Sequence, residues 1–334
     1  MQSIGDMAQA LVLRHRQAVV REQIDTLGVE LTTGEVRDKA GHLGGDLNAL
    51  SSIDKSLFAL ESYRVATTEA TYITDVMQGA LGTIQDKTES LSIQLIQANL
   101  LVPESMRNTL ANEATATLDT VLLNLNTSAA GRTVFGGTAT DRSVVTDVNR
   151  LLTDLRAAVA GQTDLTGITA TLDTWFDAPG GGYETSGYQG ASTGLSPFQL
   201  SSTESASLEI RADDQVFRDT LKGLALAALS ADAGLAVSSE VRGEMLMESG
   251  KQLMAAQNPL TELRAGLGAL QGRIEETTTR NSSEKTSMQI ARLQMVGADV
   301  YETASRLENA QLQLESIYTV TVRASRLSLV EFLR

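Results

Sequence analysis

The stretch that decides the fold is the C-terminal segment 293–324, LQMVGADVYETASRLENAQLQLESIYTVTVRA. Small and aliphatic side chains recur in it at alternating spacings of three and four residues. They are Val296, Val300, Thr303, Leu307, Ala310, Leu314, Ile317, Thr321 and Ala324. This spacing places them on one stripe of an α-helix, as in a coiled coil. Because one helix cannot bury such a stripe alone, the sequence predicts a partner helix elsewhere in the chain.

The N-terminal segment 4–31 supplies that partner, with apolar residues at the same spacings at Leu13, Val20, Ile24, Leu27 and Leu31. The C-terminal segment 282–334 has one glycine, Gly297, and no proline, so we predict a single helix through it. At 1.5 Å per residue that helix would be roughly 70 Å long, which indicates an elongated, rod-like bundle. We therefore expect the two ends of the chain to pair.

Further helices are predicted between the two ends. A glycine-rich segment, 32–45, indicates a loop or bend, and an apolar stripe from Leu47 to Ala98 predicts a helix of roughly 80 Å. Pro103 favours the first turn of another helix, which ends near Asn126. Segment 130–138, AGRTVFGGT, predicts turns around a short extended piece, typical of half a hairpin.

The composition changes between residues 141 and 248, where sixteen acidic and seven basic residues supply −9 of the net charge of −14. Glycines in segment 161–194 and strand-like alternation over 207–212 indicate an inserted middle domain. Its aromatic residues form either a small core, which we favour, or an exposed contact surface. They are Trp175, Phe176 and Tyr183. Helices are predicted over 217–229 and over 241–280, with a helix start near Pro259.

The predicted fold class is mostly α, an elongated coiled-coil bundle built from both termini, with an inserted α/β or β-rich middle domain. Residues 1–45 and 297–334 are the predicted inner terminal helices, which form the assembly segment. Residues 46–140 and 249–296 are the predicted long helical bundle with a short hairpin. Residues 141–248 are the predicted exposed middle domain.

Composition also excludes several classes of function. The chain has no cysteine, which excludes disulfide scaffolds and thiolate metal sites. Its negative charge would repel nucleic acid and anionic membranes, and its longest nearly apolar run, Leu221–Leu229, is too short to span a bilayer. The N-terminus lacks the pattern of a cleavable signal peptide. We expect neither a nucleic-acid partner nor a membrane partner.

Catalytic and metal sites find little support in the sequence. The two histidines, His15 and His42, lie outside any His-Glu-x-x-His motif, and we interpret both as surface residues. Segment 136–138, GGT, lacks the lysine of a phosphate-binding loop. An acidic cluster lacks the spacing of an EF-hand and is interpreted as a solvated turn. It comprises Asp213, Asp214 and Asp219. We predict that the protein is not an enzyme and has no catalytic, cofactor or metal site.

Several C-terminal segments carry a resemblance to a known family. They are 264–274 (RAGLGALQGRI), 297–307 (GADVYETASRL), 311–318 (QLQLESIY) and 328–333 (SLVEFL). Together they resemble the closing helices of the flagellin superfamily, and the resemblance covers the two ends of the chain but little of the middle. Segment 32–37 keeps the glycine of the family's bend, whereas segment 38–46 lacks the family's Asp-Asp-Pro.

Three features resemble the hook-associated branch of this superfamily more than flagellin itself. Segment 131–141, GRTVFGGTATD, is similar to a hairpin of that branch, and segment 210–219, IRADDQVFRD, to its exit from the middle domain. The ending 330–333, VEFL, is more similar to the last residues of that branch than to those of flagellin. The resemblance implies a hook-associated junction protein, which joins the hook-associated ring to the flagellin filament. The alternative within the superfamily is flagellin, the bulk filament subunit.

The resemblance also implies partners and a location. The partners are other copies of the chain, the preceding hook-associated protein, flagellin, a flagellar export chaperone and the type III export apparatus. The implied location is extracellular, in the bacterial flagellum at the hook–filament junction, after export without a cleaved signal peptide. The predicted assembly interface consists of Leu13, Val20, Ile24, Leu27, Leu31, Val300, Leu307, Leu314, Ile317 and Leu327. Outside the family, an adhesin-like coiled coil and a signalling coiled-coil module remain alternatives.

Overall fold

The computed structural model describes residues 2–97 and 103–332, except the side chains of residues 2–6, 9 and 324–332. Helices make up 73% of the chain, which confirms the predicted mostly α class. The long helices are α1 (Gln2–Thr33), α3 (Asn48–Ile96), α4 (Glu104–Leu125), α8 (Ser239–Val296) and α9 (Val300–Phe332). The shorter ones are α2 (Lys39–His42), α5 (Val148–Ala158), α6 (Leu165–Asp177), α7 (Gln215–Leu229) and a π-helix at Tyr183–Gly187.

The chain divides into two compact units. The terminal unit comprises Met1–Glu61 and Ser282–Arg334, and the central unit comprises Ser62–Asn281. In the terminal unit, α1 and α9 pack against each other in antiparallel directions. Arg21 within α1 contacts Tyr318 late in α9, whereas Glu35, beyond the end of α1, pairs with Gly297, just before α9. The predicted pairing of the two chain ends is confirmed.

The prediction of one helix through segment 282–334 is wrong, because residues 297–299 separate α8 from α9. Asp299 caps the new helix, since its carboxylate accepts a hydrogen bond from the amide of Glu302 at 2.9 Å. The sequence carried this signal, because an aspartate followed three residues later by a glutamate is a helix-start pattern. Gly297 just before it adds a residue that favours interruption.

The central unit has one large apolar core, to which α3, α4, α5, α6, α7 and α8 contribute. Within this core, α4 packs along α7. Fully buried side chains include Met77 of α3, Leu118 of α4, Phe217 of α7 and Leu253 of α8. Burying such a side chain contributes about 1.5–3 kcal/mol, so this core gives the central unit a strong basis for folding.

The prediction of a helix start near Pro259 is also wrong, because α8 runs without a break past this residue. A proline inside a helix cannot donate the hydrogen bond to the carbonyl four residues earlier, and costs about 3 kcal/mol. Pro259 itself is exposed, so water reaches the unpaired carbonyl. Its neighbours Ala256 and Leu260 are buried, and their packing holds the helix together on both sides.

Two small antiparallel sheets lie in the central unit. Strands β1 (Ser128–Ala129) and β2 (Arg132–Thr133) form one, and β3 (Leu195–Gln199) and β4 (Ser205–Leu208) form the other. The β1–β2 hairpin turns through Ala130 and Gly131, with φ of 50° and 78°, the left-handed conformations of a two-residue turn.

The strand predicted over 207–212 overlaps β4 only in its first two residues. Beyond them the chain leaves the hairpin, because the amide of Ala212 donates to the carbonyl of Phe135 at 2.9 Å. This hydrogen bond replaces the strand pairing that the alternation of side chains predicted. The middle of the chain thus combines the helices α5, α6 and α7 and a π-helix with one two-stranded sheet.

The favoured interpretation of the aromatic residues as a core is confirmed. Phe176 and Tyr183 are each 1% exposed, and Trp175 packs edge to face on Phe176 with ring centroids 4.7 Å apart. The hydroxyl of Tyr183 donates to the carbonyl of Ala212 at 2.6 Å, which compensates for its burial. Burial raises the pKa of Tyr183 above its ordinary value, so this hydroxyl remains a donor.

We predict that Tyr183→Phe destabilises the central unit by about 1–3 kcal/mol, because the buried carbonyl of Ala212 loses its donor. Urea unfolding of the full chain, followed by circular dichroism, measures this loss. The matched control is Tyr72→Phe on α3, where the ring is half exposed. Equal stability of the two variants would contradict the structural role of this hydrogen bond.

Candidate assembly interface

A narrow apolar seam joins α1 to α9. Its buried members are Val20, Leu27, Ala310 and Ile317, and the half-buried Ile24, Leu307 and Leu314 pack against them. These are few side chains for helices of 32 and 33 residues. The seam therefore defines how the two helices pair but leaves most of their surface uncovered.

The structure brings most of the residues predicted for the interface into this seam. They are Val20, Ile24, Leu27, Leu307, Leu314 and Ile317. Leu13 and Leu31 are half-buried on α1. Val300 is 59% exposed, because it is the first residue of α9 and the seam begins one turn later, at the buried Thr303. Leu327 belongs to α9, but its side chain lies outside the described residues.

A polar contact flanks the seam. The guanidinium of Arg21 on α1 donates to the hydroxyl of Tyr318 on α9, and its central carbon lies 5.9 Å from the centroid of that ring. The hydrogen bond from Arg21 holds the pKa of Tyr318 below its ordinary value. Sequence reasoning missed this pair, because both residues lie outside the apolar stripe and are 297 positions apart.

Backbone hydrogen bonds join residues 34–36, after the end of α1, to residues 296–298, before the start of α9. We call this place the joint. The amide of Ala298 donates to the carbonyl of Gly34, and the amide of Val36 donates to the carbonyl of Val296, both at 2.9 Å. Gly34 has a φ of 71°, in the left-handed region that favours glycine. The glycine in the predicted bend therefore lets the chain turn out of α1 and pair with the residues before α9.

A cluster of charges surrounds this joint. The guanidinium of Arg292 donates to both carboxylate oxygens of Glu35 and, through Nε, to Oδ1 of Asp54 at 2.7 Å. Nζ of Lys39 lies 2.8 Å from Glu35 on its other side. Hydrogen bonds from Arg292 and then Lys39 hold the pKa of Glu35 below its ordinary value. One arginine thus ties α8 to α3 and to the chain that follows α1.

The faces of α1 and α9 that point away from the seam carry exposed apolar side chains. They include Leu11, Val12 and Val19 on α1, and Tyr301, Leu312 and Val320 on α9. Tyr301 is 88% exposed and Leu312 is 59% exposed. Apolar side chains repeated along an exposed surface are typical of a surface that another protein covers.

The residues considered for catalysis or metal binding do not belong to the seam. His15 and His42 are exposed, as predicted. The interpretation of the acidic cluster as a solvated turn is wrong in part, because Asp213 pairs with Arg211 at 2.8 Å and burial raises the pKa of Asp214. Within residues 2–97 and 103–332, no group of acidic and histidine side chains is arranged to hold a metal ion. No described helix is long and apolar enough to cross a bilayer.

Comparison with known proteins identifies the C-terminal part of the chain. Residues 251–333, which include α9 and much of α8, match the family model for the bacterial flagellin C-terminal helical region. Over this C-terminal quarter, the chain is similar to bacterial flagellins. The resemblance predicted from the closing segments is thereby confirmed. A comparison with curated protein sequences finds no significant match.

Two solved structures share the fold of this chain. One is a Vibrio parahaemolyticus protein described as a flagellar hook-associated protein, with a TM-score of 0.50 and 11% identity, over 75% of this chain and 98% of that one. The other is FlgL of Bacillus cereus, with a TM-score of 0.50 and 14% identity, over 73% of this chain and all of that one. At such low identity, these likenesses show the fold alone.

The charges at the joint predict a pH dependence of stability. Because the pKa of Glu35 is lowered in the folded chain, its contribution is fully present above its unfolded value near 4.5 and is lost as the pH falls through the folded value. We expect Glu35→Gln to lower thermal stability at pH 7 and to have less effect at pH 3.5. Thermal unfolding followed by circular dichroism measures both effects.

The matched control for this prediction is Glu308→Gln, an exposed carboxylate on α9. It removes the same charge without breaking the cluster at the joint. An equal loss of stability in Glu35→Gln at both pH values would show that the ion pair with Arg292 does not contribute as the geometry indicates.

Proposed function

We propose that this protein is a hook-associated structural component of the bacterial flagellum. In this proposal, copies of the chain join the preceding hook-associated protein to the flagellin filament. The observation that carries the proposal is the coil of α1 and α9, which pairs the two chain ends through a narrow seam and leaves apolar side chains on its outer faces. Such a coil gains stability when neighbouring subunits cover those faces.

The distribution of charge supports assembly through the terminal unit. This unit has fifteen acidic and twelve basic residues, a net charge of −3, whereas the central unit has 26 acidic and fifteen basic residues, a net charge of −11. Like charges oppose the close packing of copies, and the effect is smallest where the net charge is near zero. The terminal helices therefore suit a crowded interior, and the acidic central unit suits an exposed position.

The distribution of charge between the two units agrees with a separate role for each part of the chain. Residues 1–45 and 297–334 act as the inner assembly segment, residues 46–140 and 249–296 as a supporting helical bundle, and residues 141–248 as the outward middle domain. The ten predicted interface residues act in assembly either by holding α1 against α9 or by contacting neighbouring subunits.

A hook-associated role is favoured over that of the bulk filament subunit, because both solved structures described above are named for hook-associated proteins. The chain then works outside the cell, at the hook–filament junction, with other copies of itself, the preceding hook-associated protein and flagellin as partners. A flagellar export chaperone and the type III export apparatus would deliver it. The work of such a protein is mechanical, and we propose no catalysed reaction.

We predict that Leu314→Asp abolishes filament growth while leaving the central unit folded. The charge would lie against the seam between α1 and α9, where a carboxylate cannot be solvated as it is in water. The measurement is filament length by electron microscopy in cells whose only copy of the gene carries the substitution. Circular dichroism of the purified variant checks that the central unit is intact.

The matched control is Ser90→Asp, which adds the same charge on the exposed surface of α3 in the central unit. We expect cells with this variant to form filaments. Normal filaments with Leu314→Asp would show that the seam is not needed for assembly and would contradict the proposed function.

A further inference from the structure

Five glycines share one level of the antiparallel pair of α3 and α8. Hydrogen bonds of Gln271 to Asp75 at 2.7 Å and of Gln85 to Thr261 at 2.8 Å set the register of the two helices. By this register, the five glycines fall within about 12 Å along the axis. Glycine is among the residues that least favour a helix, so both helices are weakened at the same place, which we call the glycine level. Its members are Gly79 and Gly82 of α3 and Gly266, Gly268 and Gly272 of α8.

The packing of the described chain does not require these glycines. At four of the five, an added methyl group would meet no atom of a neighbouring element within 4 Å, and at Gly82 it would lie 3.4 Å from the nearest atom, in Arg264. Gly250 of α8 is different, because a methyl group there would lie 2.8 Å from the backbone nitrogen of Ile96. Alanine would therefore fit at the glycine level and would favour the helices more.

Polar groups at the glycine level are incompletely paired. Nη1 of Arg264 donates to Oε1 of Gln85 at 2.6 Å, but Nε of Arg264 and Oε1 of Gln78 are buried without a hydrogen-bond partner among the described residues. An unpaired buried polar atom destabilises the packed state. Pro259, also on α8, removes one more backbone hydrogen bond nearby. The outer side of the helix pair is therefore weakly held at this level.

Beyond the glycine level, one part of the central unit is firmly held. This far part consists of residues 84–96 of α3, residues 239–260 of α8, and the helices α4, α5, α6 and α7. Its helices share the large apolar core. Oγ of Ser249 on α8 also donates to the carbonyl of Gly223 on α7 at 2.6 Å.

On the other side of the glycine level, the near part consists of residues 62–72 of α3 and 273–281 of α8. Here Ala70 and Ile274 are buried in a small cluster with Leu200, at the tip of the β3–β4 hairpin. The glycine level thus lies between two parts that are each covered by other elements.

The β3–β4 hairpin spans the glycine level and is tied at both ends. At its base, Leu195 and Leu208 belong to the large core of the far part. At its tip, the carboxylate of Glu204 accepts a hydrogen bond from Thr277 at 2.7 Å and pairs with Arg280 at 2.6 Å. The hairpin therefore connects the far part to the near part without passing through α3 or α8.

A groove lies between the hairpin and α8 at the glycine level. It has a volume of about 390 Å³ and is lined by residues 207–210 on one side and by Gly266, Leu267 and their neighbours on α8 on the other. Leu267 and Leu81 of α3 are both buried, so the two helices remain in contact on their inner side. The groove leaves room for α8 to move toward the hairpin while that inner contact persists.

We propose that the α3–α8 pair is a hinge at the glycine level and that the β3–β4 hairpin is the strap that limits its angle. Bending toward the strap narrows the groove and turns the far part relative to the near part. The contacts of Glu204 with Thr277 and Arg280 act as the latch that keeps the hinge straight. In such a hinge, a few residues absorb the change in backbone angle between two parts that stay rigid.

The hinge goes beyond the proposed function, which requires contacts of the terminal unit but no motion within the central unit. The two claims fail separately, because the filament assay with Leu314→Asp tests the seam alone.

The test measures the distance between two spin labels in the full chain by pulsed electron paramagnetic resonance. Because the chain has no cysteine, introduced cysteines are the only labelled positions. The hinge pair, Thr68→Cys with Ala170→Cys, places exposed labels on the near part and on α6 of the far part. The control pair, Glu113→Cys with Ala170→Cys, places both labels on the far part. We expect a wider distribution of distances for the hinge pair than for the control pair.

A stiffened variant tests the glycine level. It carries Gly79→Ala, Gly266→Ala and Gly272→Ala, and we expect the distribution of the hinge pair to narrow to the width of the control pair, because alanine favours the straight helices. The matched control is Gly28→Ala on α1, where an added methyl group also meets no atom within 4 Å. It should leave the distribution unchanged.

An unlatched variant, Glu204→Ala, tests the strap. We expect the distribution of the hinge pair to broaden, because the tip of the hairpin loses its contacts with α8. The matched control is Glu275→Ala, which removes the same charge from an exposed position on α8 and should cause no broadening. Circular dichroism checks that each variant is folded.

Three results would overturn the proposal. If the hinge pair is as narrow as the control pair in the natural chain, the central unit does not bend. If the three alanines leave a wide distribution unchanged, the motion does not arise at the glycine level. If Glu204→Ala causes no broadening, the hairpin is not the strap. In each case the proposed function stands or falls on the filament assay alone.

Discussion

The structure depends on one constraint, which is that the two ends of the chain must meet. Arg21 and Tyr318 are 297 positions apart in sequence, yet they are in contact across the α1–α9 pair. The chain leaves the helix pair after Gly34 and returns to it at Ala298, and these two residues are hydrogen-bonded to each other. That closure consists of backbone hydrogen bonds at a left-handed glycine, all within the terminal unit.

Single cations in this protein each bind more than one carboxylate. The arginine at the joint, Arg292, binds two carboxylates, Glu35 and Asp54, which fixes three segments of the terminal unit with one side chain. A guanidinium suits this task, because its planar donors reach two acceptors at once. In the central unit, Lys222 similarly lies 2.8 Å from both Asp173 and Asp177. The carboxylates of Glu35, Asp54, Asp173 and Asp177 are thus all partners of cations.

Periodicity explains what could be predicted from the sequence and what could not. A stripe of apolar residues encodes which face of a helix is buried, so the helices and most of the seam followed from spacing alone. An apolar stripe does not encode where a helix is interrupted. The break at Gly297 and the unbroken helix at Pro259 were therefore both predicted wrongly. Pairs such as Arg21 with Tyr318 and Glu35 with Arg292 depend on the antiparallel register, which no local pattern specifies.

The central claim is that this chain works at the junction and is not the bulk of the filament. The most direct measurement is its abundance in flagella sheared from the source cells, by quantitative mass spectrometry against every other flagellar chain. The account predicts a trace component that is enriched in the fragments carrying the hook end. A chain that dominates the sheared filaments would be the filament subunit itself, and that result would contradict the account.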